Sequence, residues 1–307
     1  MKWKTWISAL LVFVGVCLLA DWAMTRWLIL GTPFTDAGRI HHLLLEHDGE
    51  IPIFGTSKAH GQYCPADMGL NAYNYGLDNA SFELTYVLLQ IELAKPKTTP
   101  VIVELQFSDT GQLGEQSTLI PFASDDRFRR LLNKFHAMSW RYHLPGVRYF
   151  GYYDIYFNNF DKEVMHRTTV NRGFTELVNE PPFDPAKLDQ AVQARLRART
   201  GYFPNPDQDR RLLELITTHT NRLFFLVLAP YHPSYFAHFE NAAQFKAFET
   251  KLAAHPNVAL IDRSREALPD EDFMDTIHLR RAGSAQFSRE MGEQIRRILR
   301  ERGQPSS

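Results

Sequence analysis

Four short apolar runs, "IPIF" at 51–54, "VIVELQF" at 101–107, "RLFFLVLAP" at 222–230 and "NVALID" at 257–262, are separated by stretches with helical spacing. This alternation constrains the fold more than any other feature of the chain. Short continuous apolar runs suit strands buried on both faces, and connections long enough to hold a helix let such strands run parallel. The pattern predicts an α/β fold, a twisted parallel sheet covered by helices on both faces. Among the connections, "SFELTYVLLQIELAK" at 81–95 has apolar residues at helical spacing with Ser81 placed as its cap. "FTDAGRIHHLLLEH" and "SAQFSREMGEQIRRIL" also read as helices.

The first 31 residues are a different physical object. "WISALLVFVGVCLLA" at 6–20 is uncharged, follows Lys2 and Lys4, and is continued after Asp21 by "WAMTRWLIL". A membrane-spanning helix needs about 20 mainly apolar residues, a length reached here if Asp21 lies at the far interface. A secretory signal peptide has the same outline, but Leu18 stands where a small residue precedes a cleavage site. No Gly, Ala or Ser precedes Cys17, as lipidation would want. The chain therefore reads as an uncleaved single-pass anchor over 1–31, with Lys2 and Lys4 cytoplasmic and residues 32–307 an extracytoplasmic domain at the cell membrane.

Composition closes off other classes. The chain has 307 residues and a formal net charge of −1, so no basic surplus points to nucleic acid as a partner. One cysteine, Cys17, lies in the apolar run and the other, Cys64, is alone in the outer domain, which excludes a disulfide within that domain. Between about 136 and 206 the strand–helix alternation fails, and "MSWRYHLPGVRYFGYYDIYFNNF" is dense in aromatic residues. This reads as an insertion over one end of the sheet, either a lid or groove wall or plain packing. The tail "ERGQPSS" reads as a frayed end.

Ligands of a parallel sheet gather beyond the carboxyl ends of its strands, and "IPIFGTSKAHG" places Ser57 at such an end, after Gly55. A phosphate loop is excluded because G-x-x-x-x-G-K-[ST] is absent. Near the C-terminus, "FMDTIHLRRAG" sets Asp275 three residues before His278. A serine hydroxyl needs a base to become a nucleophile, and the base needs an acceptor to fix its tautomer. Asp275, His278 and Ser57 can fill those three roles.

These residues resemble the SGNH, or GDSL, hydrolases. "GTSKAHG" supplies Gly55, Ser57 and Gly61 in register with the G-D-S-x-x-x-G block, with Thr56 in place of the acid. "NYGLDNAS" is similar to the N-x-G-[IL]-x-G-x-[ST] block at Asn74, Gly76, Leu77 and Ser81, and Asp275 and His278 match D-x-x-H. The resemblance implies a three-layer domain with a flavodoxin-like sheet and a catalytic triad of Ser57, His278 and Asp275. It also implies an oxyanion hole from the backbone N–H groups of Ser57 and Asn79, with Gly76 and Asn74 lining the cleft; separately, His232 in "LAPYHPSYF" follows a strand and reads either as a residue lining the same cleft or as an ordinary loop histidine. Two departures stand out: Asn79 occupies the family's glycine position, and "FSDTG" replaces the G-x-N-D block, so no asparagine donates from that loop. Divergent membrane-bound relatives, similar to those of alginate acetylation and of D-alanine transfer to teichoic acids, also stray from that block.

The expected activity is that of a serine esterase or O-acyltransferase acting on an ester-bearing envelope glycan or lipid. It would need no metal or cofactor and could work beside a membrane-bound acyl-transfer partner. The rival of another class is an inactive scaffold or acyl-glycan binding subunit. Two smaller patterns compete with the triad: His42 and Glu46, one helical turn apart as metal ligands could be, and Cys64 as a thiol nucleophile.

Overall fold

The computed structural model describes residues 2–32, 35–47, 49–107, 116–135, 140–164, 168–177 and 180–304. Five parallel strands form the central sheet: β1 (Ile51–Phe54), β2 (Ala72–Asn74), β3 (Val101–Glu104), β4 (Phe224–Leu228) and β5 (Val258–Asp262). Their order is 2-1-3-4-5, the flavodoxin-like arrangement, in which the chain reverses direction across the sheet between β1 and β3. Register is continuous through the middle, with Ile53 beside Ile102, Val103 beside Leu226 and Leu226 beside Leu260.

Alternate residues along each strand feed two apolar layers. Val101, Val103, Phe224, Leu226 and Leu228 turn to one side, where they meet α2 (Asp36–Leu45), α4 (Phe82–Leu93), α6 (Pro206–Thr218) and α7 (Ala242–Ala253). Ile102, Phe225, Val227 and Ile261 turn to the other, where Phe287, Met291 and Ile295 of α8 (Arg281–Glu301) cover them. Helix starts follow their caps: the Thr35 hydroxyl accepts the Gly38 N–H at 2.8 Å, and the Ser81 hydroxyl accepts that of Leu84 at 3.2 Å.

Two expectations change. β2 is absent from the sequence reading because a three-residue edge strand leaves no periodicity to detect. β3 ends at Glu104 rather than 107: the Leu105 N–H still donates to the Val227 carbonyl at 2.7 Å, and Gln106 and Phe107 leave the sheet at its carboxyl edge.

At the N-terminus α1 (Lys2–Ala23) runs on through a π-helical turn, Met24–Ile29. Trp3–Ile29 is long and apolar enough to cross a membrane. Asp21, near the end of this helix, is buried, and Arg148 from the aromatic insertion pairs with it through Nε and Nη2. The described parts of the insertion separate. Residues 140–164 lie along the end of this N-terminal helix, where the Tyr149 and Thr25 hydroxyls are 2.7 Å apart. The hairpin of Thr168–Asn171 and Phe174–Leu177 lies beside α3 (Ser57–Gln62). The C-terminal helix continues to Glu301, and residues 305–307 of the tail lie outside the described residues.

Candidate active site

β1 ends in Gly55 because nothing larger fits: a Cβ there would stand 2.7 Å from that of Ala59 and 2.8 Å from that of Glu104. The tight turn delivers Ser57 to the first position of α3. Asn74, at the end of β2, fastens this helix from behind. Its amide Nδ2 donates to the carbonyls of Ala59 and Tyr63, both at 2.7 Å, while its Oδ1 accepts the Gly76 N–H at 2.8 Å. Gly76 lies so close that a Cβ would fall 2.3 Å from the His60 nitrogen. Asn74 and Gly76 therefore stand behind the helix that carries Ser57, not on the cleft wall where the resemblance put them.

α8 holds the other end of α3. The Ser284 hydroxyl donates to the Gly61 carbonyl at 2.9 Å, that of Ser288 donates to the Gln62 carbonyl at 3.0 Å, and Ser288 Oγ accepts the Cys64 N–H at 2.8 Å. Gln62 Nε2 donates to the Ile277 carbonyl at 2.7 Å. The helix carrying Ser57 and the loop carrying His278 are thus bonded directly to each other.

The geometry places three of the expected residues in line. Nε2 of His278 is 2.9 Å from Oγ of Ser57, and Nδ1 is 2.8 Å from Oδ2 of Asp275. Asp275 Oδ1 accepts the N–H groups of Ile277 and His278 at 2.7 and 2.9 Å. Burial pushes the Asp275 carboxyl upward, but the bonds from the imidazole and the two amides prevail and hold it below the usual carboxylate range. It is ionised at neutral pH, as an orienting group for imidazole must be.

Asn79 has φ of 52°, in the left-handed region that asparagine tolerates better than most residues. The neighbouring Asp78 carboxylate pairs with His60 Nδ1 at 2.9 Å, and His60 Nε2 meets the Thr175 hydroxyl at 3.0 Å. Both nitrogens of His60 are occupied, and the bond to Asp78 ties the Asn79 turn to α3.

Gln106 and Arg195 are among the cleft residues with no counterpart in the sequence reading. Gln106, just past β3, donates through Nε2 to Thr56 Oγ1 and shares the cleft with Ser57, Asn79 and His278. Its visible signal was a polar residue in an apolar run, "VIVELQF", which was absorbed into the strand. Arg195, on α5 (Pro185–Arg197), reaches the same cleft and donates to Thr276 Oγ1 at 3.1 Å. An apolar cavity of about 100 Å³, walled by Phe82, Leu89, Leu105, Tyr202 and Phe245, shares Thr56, Gln106 and Phe107 with the cleft. The "FSDTG" stretch falls mostly in 108–115, outside the described residues.

Beneath the serine lies a buried ionic group. Lys58 Nζ is 3.2 Å from Glu104 Oε1, donates to the Ala229 carbonyl at 2.9 Å, and sits 3.2 Å from the Tyr231 ring centroid. Tyr63 donates its hydroxyl to Glu104 Oε2. Burial pulls the Lys58 ammonium down to about 8, although Glu104 opposes the shift.

The remaining candidates fall away from the cleft. His232 bonds the Ser234 hydroxyl at 2.8 Å and Asp270 at 3.2 Å, bracing the loop before Asp275 rather than lining the cleft. His42 stacks on Tyr73 and lies near Glu50, whereas Glu46 binds Lys95 and Lys97, so the two do not share a ligand position. Among the described residues no three His, Cys, Asp or Glu side chains are grouped to hold a metal. Burial pushes the Cys64 thiol up to about 11, which leaves little thiolate at neutral pH.

No family model matches this sequence, and no curated protein matches it. Among solved structures, one described as "a putative platelet activating factor from Streptococcus pneumonia" aligns over 92% of this chain and 98% of that one, with 12% identity and a TM-score of 0.42. A likeness at that level bears on neither the chemistry nor the substrate.

Proposed function

We propose that this chain is a membrane-anchored, extracytoplasmic serine esterase or O-acyltransferase of SGNH type, acting on an ester-bearing envelope glycan or lipid. The observation that carries the proposal is the unbroken line from Ser57 Oγ through the His278 ring to an ionised Asp275. With Nδ1–H donated to Asp275, Nε2 presents its lone pair to the serine hydroxyl.

In the first half-reaction Ser57 Oγ attacks the acyl carbon as His278 takes its proton. The tetrahedral oxyanion is met by the N–H groups of Ser57 and Asn79, with the Gln106 amide turning from Thr56 to supply a further donor. Collapse expels the alkoxide, which leaves with the proton held on Nε2, and an ester on Ser57 remains. In the second half-reaction His278 deprotonates water or an acceptor hydroxyl, which releases the acyl group as acid or as a new ester. The apolar cavity beside Thr56 suits the hydrocarbon part of the acyl group, and Arg195 suits a polar or anionic acceptor at the cleft wall.

Labelling with a fluorophosphonate probe tests this directly, because the probe reacts with a serine only when it is activated. A single adduct mapped to Ser57 by mass spectrometry, lost in His278→Ala, is the expected result. If folded protein takes no label, the catalytic reading fails and an acyl-glycan binding role moves ahead.

A further inference from the structure

We infer that residues 140–157 form a second membrane contact, seating the domain in the lipid interface beside its anchor. The inference rests on the anchoring reading of α1 and adds to it. Trp3 to Val16 are exposed all round, and beyond them the helix is covered at Cys17 and Asp21 while Leu18, Leu19, Ala20 and Trp22 stay exposed. Fourteen helical residues rise about 21 Å, whereas a hydrocarbon core is about 30 Å thick. To fill that thickness the span must continue to about Trp22, and over that last stretch one face of the helix, at Cys17 and Asp21, is already against protein.

The covering segment is the aromatic insertion. A Cβ on Gly146 would stand 3.3 Å from that of Cys17, and the Gly146 N–H donates to Asp21 Oδ1 at 3.0 Å. Arg148 pairs with the same carboxylate and donates to Thr25 Oγ1 at 2.8 Å. Residues 144–150 therefore sit at the depth of Cys17 to Thr25. A carboxylate near that depth is tolerated when paired, and Asp21 is only 6% exposed.

The outward face of the segment fits lipid. Trp140 is 71% exposed and Phe150 66%, and Leu144, Val147 and Phe157 are exposed beside them. Trp22 and Trp27 are exposed on the adjoining helix, as interfacial tryptophans would be. Five exposed large apolar side chains in one segment mark an interaction site, and the continuity of that segment with the spanning helix argues for the bilayer as its occupant. Two attachments also remove the freedom of the domain to swivel about a single helix.

Depth-dependent fluorescence quenching tests the inference on the full chain in phosphatidylcholine vesicles. Trp3, Trp6, Trp22 and Trp27 are replaced by Phe, which leaves Trp140 as the sole tryptophan. Lipids brominated near the headgroup end of the acyl chain should then roughly halve its emission, with weaker quenching from bromine at the chain terminus. Phe150→Trp, in a background where Trp140 is also Phe, should behave alike. Val12→Trp in that background reports the anchor and should be quenched most by deep bromine. If Val12→Trp is quenched while both insertion probes emit as in water, the interfacial seating is wrong and the anchor stands. That result is also the one expected of a patch built for a protein partner, since the vesicles contain none. If Val12→Trp is not quenched, the anchoring reading fails and this inference fails with it.

Discussion

The Ser57 hydroxyl and the His278 imidazole meet at 2.9 Å across 221 residues of chain. They meet because the helix that starts at Ser57 and the loop that carries His278 are joined by the Gln62 to Ile277 bond. The pairing is thus built into the domain core and does not wait for substrate.

If the three residues act as one unit, losing either the nucleophile or the base should cost nearly everything. Ser57→Ala and His278→Ala should each lower turnover of p-nitrophenyl acetate by about a million-fold, and Asp275→Asn by about ten-thousand-fold. The Ser57→Ala, His278→Ala double variant should be little worse than either single change. Additive losses would show that the two residues do not share a step.

Gln106 offers a test of the proposed oxyanion site that leaves Ser57, His278 and Asp275 in place. Gln106→Leu should reduce kcat by about 100- to 1000-fold with KM nearly unchanged, since the amide would act on charge that exists only in the transition state. A rise in KM at constant kcat would reassign Gln106 to ground-state binding.

Asn74 should matter through stability rather than contact with substrate. Asn74→Ala strands the Tyr63 carbonyl and the Gly76 N–H inside the protein, while the Ala59 carbonyl keeps the Tyr63 N–H, and should cost about 2–4 kcal/mol in urea unfolding, with activity falling as α3 loosens. An unchanged unfolding midpoint would mean that these groups find other partners.

Lys58 predicts a pH dependence with a definite sign. Its ammonium is weakened by burial to about 8, against 10.5 in an unfolded chain. Between those values the folded protein has released the proton and the unfolded chain still holds it, so this group makes stability rise with pH across the window. Urea midpoints of the wild type relative to Lys58→Met should therefore increase from the lower to the upper end of that range. A constant difference would contradict a depressed Lys58.

Local patterns in the sequence were enough for the layered α/β architecture and for four of the five strands, because burial on both faces leaves continuous apolar runs that helical stretches separate. Ser57, Asp275 and His278 were legible for a related reason: a sharp glycine turn after a strand and a D-x-x-H before a helix are short-range features. Convergence was not legible. Gln106 enters the cleft only because β3 stops at Glu104, and where a strand stops depends on its neighbours in the sheet. The Asn79 turn is tied to α3 by the bond of Asp78 to His60, and Asn74 serves α3 only because β2 lies behind it. The partner of Asp21 is Arg148, 127 residues away, and no local spacing records such a pair. The sequence by itself determined the elements and the chemistry available at their ends, since propensity and periodicity act over a few residues. Only the tertiary structure decided which of those ends meet, because packing of the whole core selects the long-range contacts.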